Sequence, residues 1–301
     1  MTAQRRDGVV MKAELLVPCK NALGEGVQWN GDHQRVWWTD IDGYALWSCD
    51  ADGGGVEKIK TPERLGSFAF DPDNNILAAF QSGLFRWSLE ADRLERLTYF
   101  EPDLPMTRYN DGRCDRQGRF VVGGINEDER KPISTLTRYD GSIETLLTGI
   151  GVSNSICFSP DGRWMYFSDT PTKVVHRFAY DTETGALGPA EVFATAGGGR
   201  RGFPDGACVD AEGAVWSTRF WGGHVQRVMA DGSEDMRIDV DAPQVSCACF
   251  GGPDLERMFI TTAQEELPAK MAAAAPLSGG LFVAEPGVKG LPETRYAQRL
   301  F

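Results

Sequence analysis

The chain repeats itself. Six segments share one design: a short apolar strand, a tight turn rich in Asp and Gly, and a second apolar strand. They read VQWNGDHQRVWWTDI, FAFDPDNNILAAF, GRCDRQGRFVVGGI, ICFSPDGRWMYFSD, ACVDAEGAVWSTRF and CACFGGPDLERMFITTA. The first strand of each ends at Trp29, Phe70, Cys114, Phe158, Val209 and Phe250, in steps of 41, 44, 44, 51 and 41 residues. A period in the low forties with several strands per period marks the blade of a β-propeller. Six periods predict an all-β chain folded as a six-bladed propeller.

Four residues before each strand end stand Glu25, Gly66, Asn110, Asn154, Asp205 and Ser246. The innermost strand of each blade lines the propeller axis, so equivalent positions form a ring. Carboxylate and amide oxygens from Glu25, Asn110, Asn154 and Asp205 would converge there. Such oxygens are ligands for a hard divalent cation. Any one of these residues alone would more often make a turn before a strand. Four in register point to a metal site on the axis.

The remaining composition narrows the class. The 301 residues carry a net charge of −12, which argues against a nucleic-acid surface, since phosphate binding needs clustered Lys and Arg. The basic clusters are Arg5-Arg6 and Arg200-Arg201. No apolar run has the length of a membrane span or a signal peptide. Seven cysteines without CxxC spacing read as free thiols, and Cys157, Cys208 and Cys249 sit where small apolar residues belong beside the axis. Free thiols place the protein in the cytoplasm. The expectation is a monomer with a flexible extension at 1–12 and one propeller domain at 13–301. Each period offers four strands, the first of them 27–29, 36–40, 44–48 and 56–60. A short helix is expected within 265–275, and 197–202 (GGGRRG) as an exposed crossing between blades. An outermost-strand pattern at 13–17 recurs in each period, with a seventh copy at 294–300. One terminus should therefore complete the last blade by pairing with the other end of the chain.

At this level of detail the chain resembles the SMP-30/gluconolactonase/luciferin-regenerating family of six-bladed propellers. The segments that carry the resemblance are LGEGVQW at 23–29, RYNDGRCDRQGRF at 108–120, SNSICFSPDGRWMYFSDT at 153–170 and FPDGACVDAEGAVWSTRFWGGHVQRVMADG at 203–232, with a family-like tail at 261–282. The resemblance implies one divalent cation per chain, held by Glu25, Asn154 and Asp205. It implies hydrolysis of a sugar-acid lactone, an aldonolactone, to the free aldonic acid, with D-xylonolactone favoured by overall likeness. It also implies that Arg108 and Asn110 face the substrate and that the loop carrying Glu127 and Asp128 reaches towards it. Two departures stand out: Val27 where the family often has Pro, and Ser155 where it often has Gly.

Lactone hydrolysis needs an attacking water and stabilisation of the oxyanion that develops on the carbonyl. Asp205 is the catalytic candidate for general base; alternatively the cation acidifies the water without a separate base. Oxygen ligands suit Ca2+, Mg2+ or Mn2+, while Fe2+ and Zn2+ stand higher in the affinity order. His33, His176 and His224 occupy no ring position, which argues against a His-rich zinc site. No Gly-x-Ser-x-Gly elbow exists for a serine esterase. Phe220 and Trp221 are read as pocket lining or blade packing alike. The alternatives are a phosphotriesterase- or aryl-esterase-like propeller hydrolase and a non-catalytic, metal-stabilised binding module.

Overall fold

In the computed structural model, which describes residues 8–196 and 202–301, every repeat folds into an antiparallel sheet, and six sheets stand around one axis. The inner strands are Gly24–Asn30, Leu65–Phe70, Thr107–Cys114, Ser153–Phe158, Phe203–Val209 and Val245–Gly251. Each touches the inner strand of the blade before and after it, including the last against the first, so the ring is closed. Each inner strand pairs with the strand that follows it in sequence.

The turns that make these hairpins share a mechanism. Asp71, Asp115 and Asp210 each end an inner strand and accept two backbone N–H groups of their own turn on Oδ1, at 2.8–3.0 Å. The side chain thus supplies the acceptor that the reversing backbone lacks. The core is correspondingly divided into wedges between neighbouring blades. One joins the first and second blades through Trp37, Phe68 and Phe80, and another joins the fifth and sixth through Trp216, Ile238 and Phe250. Side chains as completely buried as Trp38, Phe80 and Phe259 each contribute about 1.5–3 kcal/mol.

All six inner strands carry a bulge at or beside the ring position. Glu25 pairs with Thr39, yet Gln28 pairs with Trp37: three steps along one strand against two along the other. The same extra residue interrupts the register after Leu65, Tyr109, Asn154, Pro204 and Val245. A bulge twists the strand and re-aims its side chains. Two of the bulges contain left-handed residues, Gly26 with φ 57° and Ser155 with φ 60°. Ser155 stands in a conformation that suits Gly, and its hydroxyl donates to the Asp205 carbonyl at 2.6 Å, tying the Asn154 bulge to the neighbouring blade. Gly66 has the opposite role. A Cβ there would lie 2.5 Å from the Tyr109 carbonyl oxygen, so the second blade contributes no ring side chain.

The ring closes through the N-terminal segment. The last blade takes Val245–Gly251, Arg257–Thr262 and Leu281–Ala284 from the end of the chain and Glu14–Val17 from its beginning. Val9–Lys12, within the extension expected at 1–12, adds a fifth, parallel strand to the fifth blade. The expected seventh outer strand at 294–300 is not a strand. Its backbone crosses the face that carries the Asp turns: Tyr296 N–H donates to Phe70 O, Ala297 N–H to Gly118 O and Leu300 N–H to Asp71 Oδ2. The edge it would have paired with is already occupied by Glu14–Val17. The helix expected within 265–275 is Ala269–Ala274, opened by Pro268. The expected crossing at 197–202 falls, but for Gly202, outside the described residues. All seven cysteines are unpaired, and six are buried. Among the described residues no helix is long and apolar enough to cross a membrane.

A chain beginning at Pro18 loses the outer strand of the last blade and exposes a sheet edge. Its Tm should fall by about 10 °C or more, well beyond the loss for a chain beginning at Ala13, as followed by thermal unfolding. Gly66→Ala should lower Tm by about 5 °C, because the new Cβ forces two inner strands apart. An unchanged melting point would contradict that close approach.

Candidate functional site

Where the inner strands begin, opposite the Asp turns, a cavity of about 440 Å3 opens. Glu25, Asn110, Asn154 and Asp205 all line it, as does Arg108. The two remaining ring positions do not. Gly66 has no side chain, and Ser246 donates its hydroxyl to the Gly24 carbonyl at the seam between the last and first blades.

A chain of hydrogen bonds fixes the polar groups and crosses four blades. Arg64 grips Glu127 with both terminal nitrogens, at 2.7 and 2.8 Å. Glu127 also accepts from Arg108 Nε at 3.1 Å. Arg108 Nη1 donates to Asn110 Oδ1 at 2.9 Å, and Asn110 Nδ2 donates to Asn154 Oδ1 at 3.2 Å. Asn154 Nδ2 donates to Thr170 Oγ1 at 2.8 Å, and Thr170 donates onward to the Pro204 carbonyl. Every amide is oriented by its neighbours. Asn154 turns its oxygen towards Asn110, and one lone pair of that oxygen is left for a further partner. Arg108 is almost wholly buried, and burial lowers its pKa. Burial works to raise the Glu127 carboxyl, but the bonds from Arg64 and Arg108 outweigh it and hold the group below its ordinary value.

The two ring carboxylates are placed differently. Among the described residues neither Glu25 nor Asp205 has a cationic partner within ion-pair distance. Burial and then the nearby Asp111 push the Glu25 carboxyl up to about 8. Asp205 is raised well above the usual carboxylate range, by burial first and by Glu25 second. Asp111 is itself buried, and its Oδ2 accepts the Ile156 N–H at 2.9 Å. A carboxylate that raises the pKa of its neighbour, beside an oriented amide oxygen, is an arrangement that a small dication would stabilise. Glu25, Asn154 and Asp205 thus offer oxygen donors of the kind that such a cation takes.

Not every sequence expectation falls in the cavity. Glu127 and Asp128 are not among the residues that line it. Glu127 is committed to Arg64 and Arg108, and Asp128 is exposed and paired with Lys131. Their neighbours Glu129 and Arg130 do line it, both in left-handed backbone, and so does Glu265 from the last blade. Phe220 and Trp221 belong to the cavity wall, together with Phe203 and Pro171. The sequence marked the loop that carries Arg130 but not Arg130 itself, and it offered no signal for Glu265, which stands outside the repeat register. Thr170 and Phe203 flank the inner-strand motifs and could have been found by extending them.

Comparison with known proteins agrees with the propeller fold. The family description SMP-30/Gluconolactonase/LRE-like region matches residues 23–264. An L-arabinolactonase of Azospirillum brasilense is 36% identical over 293 residues, covering 95% of this chain and 96% of that one. A pentonolactonase of Haloferax volcanii is 33% identical over 282 residues, covering 92% and 96%. The crystal structure of a calcium-binding protein, regucalcin, from Agrobacterium tumefaciens superposes with a TM-score of 0.92 at 31% identity, covering 97% of this chain and 99% of that one. On the repeat, the ring and these likenesses together, the chain belongs to the SMP-30/gluconolactonase family of six-bladed propellers.

Proposed function

We propose that this protein is a hydrolase of carboxylic ester bonds, a sugar lactone lactonase that needs a divalent cation held by Glu25, Asn154 and Asp205. One observation carries the reading: two carboxylates without an ion-pair partner among the described residues share a cavity with the oriented side chains of Arg108 and Asn110. When bound, the cation supplies Lewis acidity towards the lactone carbonyl and the attacking water. Arg108 Nη2 makes no hydrogen bond within the described protein and can donate to a substrate oxygen. Glu127 and Arg64 hold that guanidinium in place, a role behind the contact surface. The Asp205 carboxylate takes a proton from the attacking water and returns it to the ring oxygen as the ester bond breaks. The products are a carboxylic acid and the hydroxyl that had closed the ring. Relatives named for L-arabinolactone and pentonolactones support five-carbon substrates, with D-xylonolactone the first to assay. A ring closed without a second chain and seven unpaired cysteines support action as a monomer in a reducing compartment.

Glu25→Ala, Asn154→Ala and Asp205→Ala should each weaken cation binding at least tenfold by calorimetry and remove most lactonase activity. If all three bound Ca2+, Mn2+, Fe2+ or Zn2+ like the parent, the ligand assignment would be wrong. Chelation should abolish turnover while leaving most of the Tm in place, and unfolding on chelation would instead favour a structural cation. Arg108→Ala should lower kcat/KM for aldonolactones about 10–100-fold with cation affinity nearly unchanged. Phenyl acetate and a phosphotriester should be poorer substrates than D-xylonolactone on the same preparation. A preference for either would promote the esterase alternative.

A further inference from the structure

The cavity has two unlike sides. Arg108, Asn110 and Arg130 from the third blade, Glu25 from the first and Glu265 from the last bring polar groups to one side, with Leu23, Ile125 and Val152 between them. Beside Asn154 and Asp205 the fourth and fifth blades present Pro171, Phe203, Phe220 and Trp221, with Phe220 also packed against Leu23 and Ala263. The Thr170 hydroxyl on that side already donates to Pro204 O and accepts from Asn154 Nδ2. It has no proton left to offer.

The aromatic side is built rather than incidental. Phe203 and Phe220 face each other across paired strands. Phe220 meets Trp221 edge to face, with ring centroids 5.8 Å apart at 84°. Lys173 Nζ lies 5.2 Å from the centroid of the Phe203 ring. Trp221 has φ 63°, a conformation that bulky residues avoid, and keeps 36% of its surface exposed. The hairpin around it is pinned by Gly222 N–H to Arg219 O, Gly223 N–H to Pro243 O and Val240 N–H to Gly223 O, at 2.8–3.1 Å. The fold thus spends backbone strain to hold an indole at the mouth of the cavity.

We propose that Phe203, Phe220 and Trp221 form an apolar subsite for the exocyclic end of the lactone, which makes Trp221 a specificity-determining residue. The inference rests on the lactonase reading and narrows it to a substrate class. A ring held by its carbonyl and hydroxyls on the polar side presents its far end to the aromatic side. A methyl group or bare ring C–H surface suits that wall, where aromatic faces pack against apolar groups. A terminal hydroxyl there gives up part of its hydration for one partner at most, the Trp221 indole N–H. The favoured substrates are therefore 1,5-lactones with a deoxy terminus or without a sixth carbon.

Three lactones of one ring stereochemistry test this: D-glucono-1,5-lactone, its 6-deoxy analogue and D-xylono-1,5-lactone, assayed on the cation-loaded protein. The 6-deoxy and five-carbon lactones should exceed gluconolactone about tenfold in kcat/KM. Trp221→Ala should raise KM for the 6-deoxy lactone about fivefold or more with kcat little changed. It should move gluconolactone by less than twofold. Trp221→Phe should keep the parent's order, and the Tm of both variants checks that they fold. Equal or better turnover of gluconolactone by the parent, or an unchanged 6-deoxy preference in folded Trp221→Ala, overturns the subsite and leaves the lactonase reading intact. No turnover of any of the three, with cation bound, sinks both.

Discussion

One extra residue in each inner strand sets up everything at the axis. Without it, alternate side chains of an inner strand would point to the two neighbouring wedges, as a regular strand dictates. The bulge lets the strand serve two duties. Its lower half feeds apolar side chains such as Phe158 and Val209 to the wedges, while its head presents Asn154 and Asp205 to the cavity. The cost is local: backbone groups at each bulge leave the ladder and must be satisfied elsewhere. Ser155 shows how, by bonding to the Asp205 carbonyl, and Asp111 does the same for the Ile156 N–H. Both bonds cross from blade to blade, so the irregularity that makes the site also ties the ring together.

Charge along the axis is balanced unevenly. Towards the Asp-turn face the buried Arg113 is paired with Glu293 at 2.6 Å. At the cavity the Arg64–Glu127–Arg108 set is likewise satisfied internally. Among the described residues Glu25 and Asp205 have no ion-pair partner. Buried carboxylates are costly when unpaired, and a cluster of Glu25, Asp205 and Asp111 without an ion-pair partner among the described residues is poised for a cation. The polar chain from Arg64 to Thr170 adds direction. It sets which atom of each amide faces the cavity, and this orientation decides whether an Asn can serve as an oxygen donor.

The parts legible in the sequence were those written locally and repeated. Asp turns bounded the hairpins, and their spacing gave the six blades. The ring position identified Glu25, Asn110, Asn154 and Asp205 as residues of one cavity although up to 180 positions separate them. Contributions from loops were not legible, because no period constrains a loop. Glu127 was marked by its loop, but its partner Arg64 lies 63 residues away in another blade, and only the folded ring brings them together. That partnership removes Glu127 from the cavity wall and passes its influence through Arg108. Arg130 itself and Glu265 were invisible for the same reason.

The tail at 294–300 shows why pattern alone misplaces an element. Tyr296 and Leu300 are buried as an outer strand's apolar residues would be, but they fill the wedge between the second and third blades. A strand needs a free edge, and Glu14–Val17 had taken the one available. With that edge gone, the tail's backbone donors find carbonyls of Phe70 and Gly118 in the turns below the ring. Its path carries Glu293 to the axis beneath Arg113. The chain leading into the segment that does not finish a blade thereby reaches the axis on the face opposite the cavity.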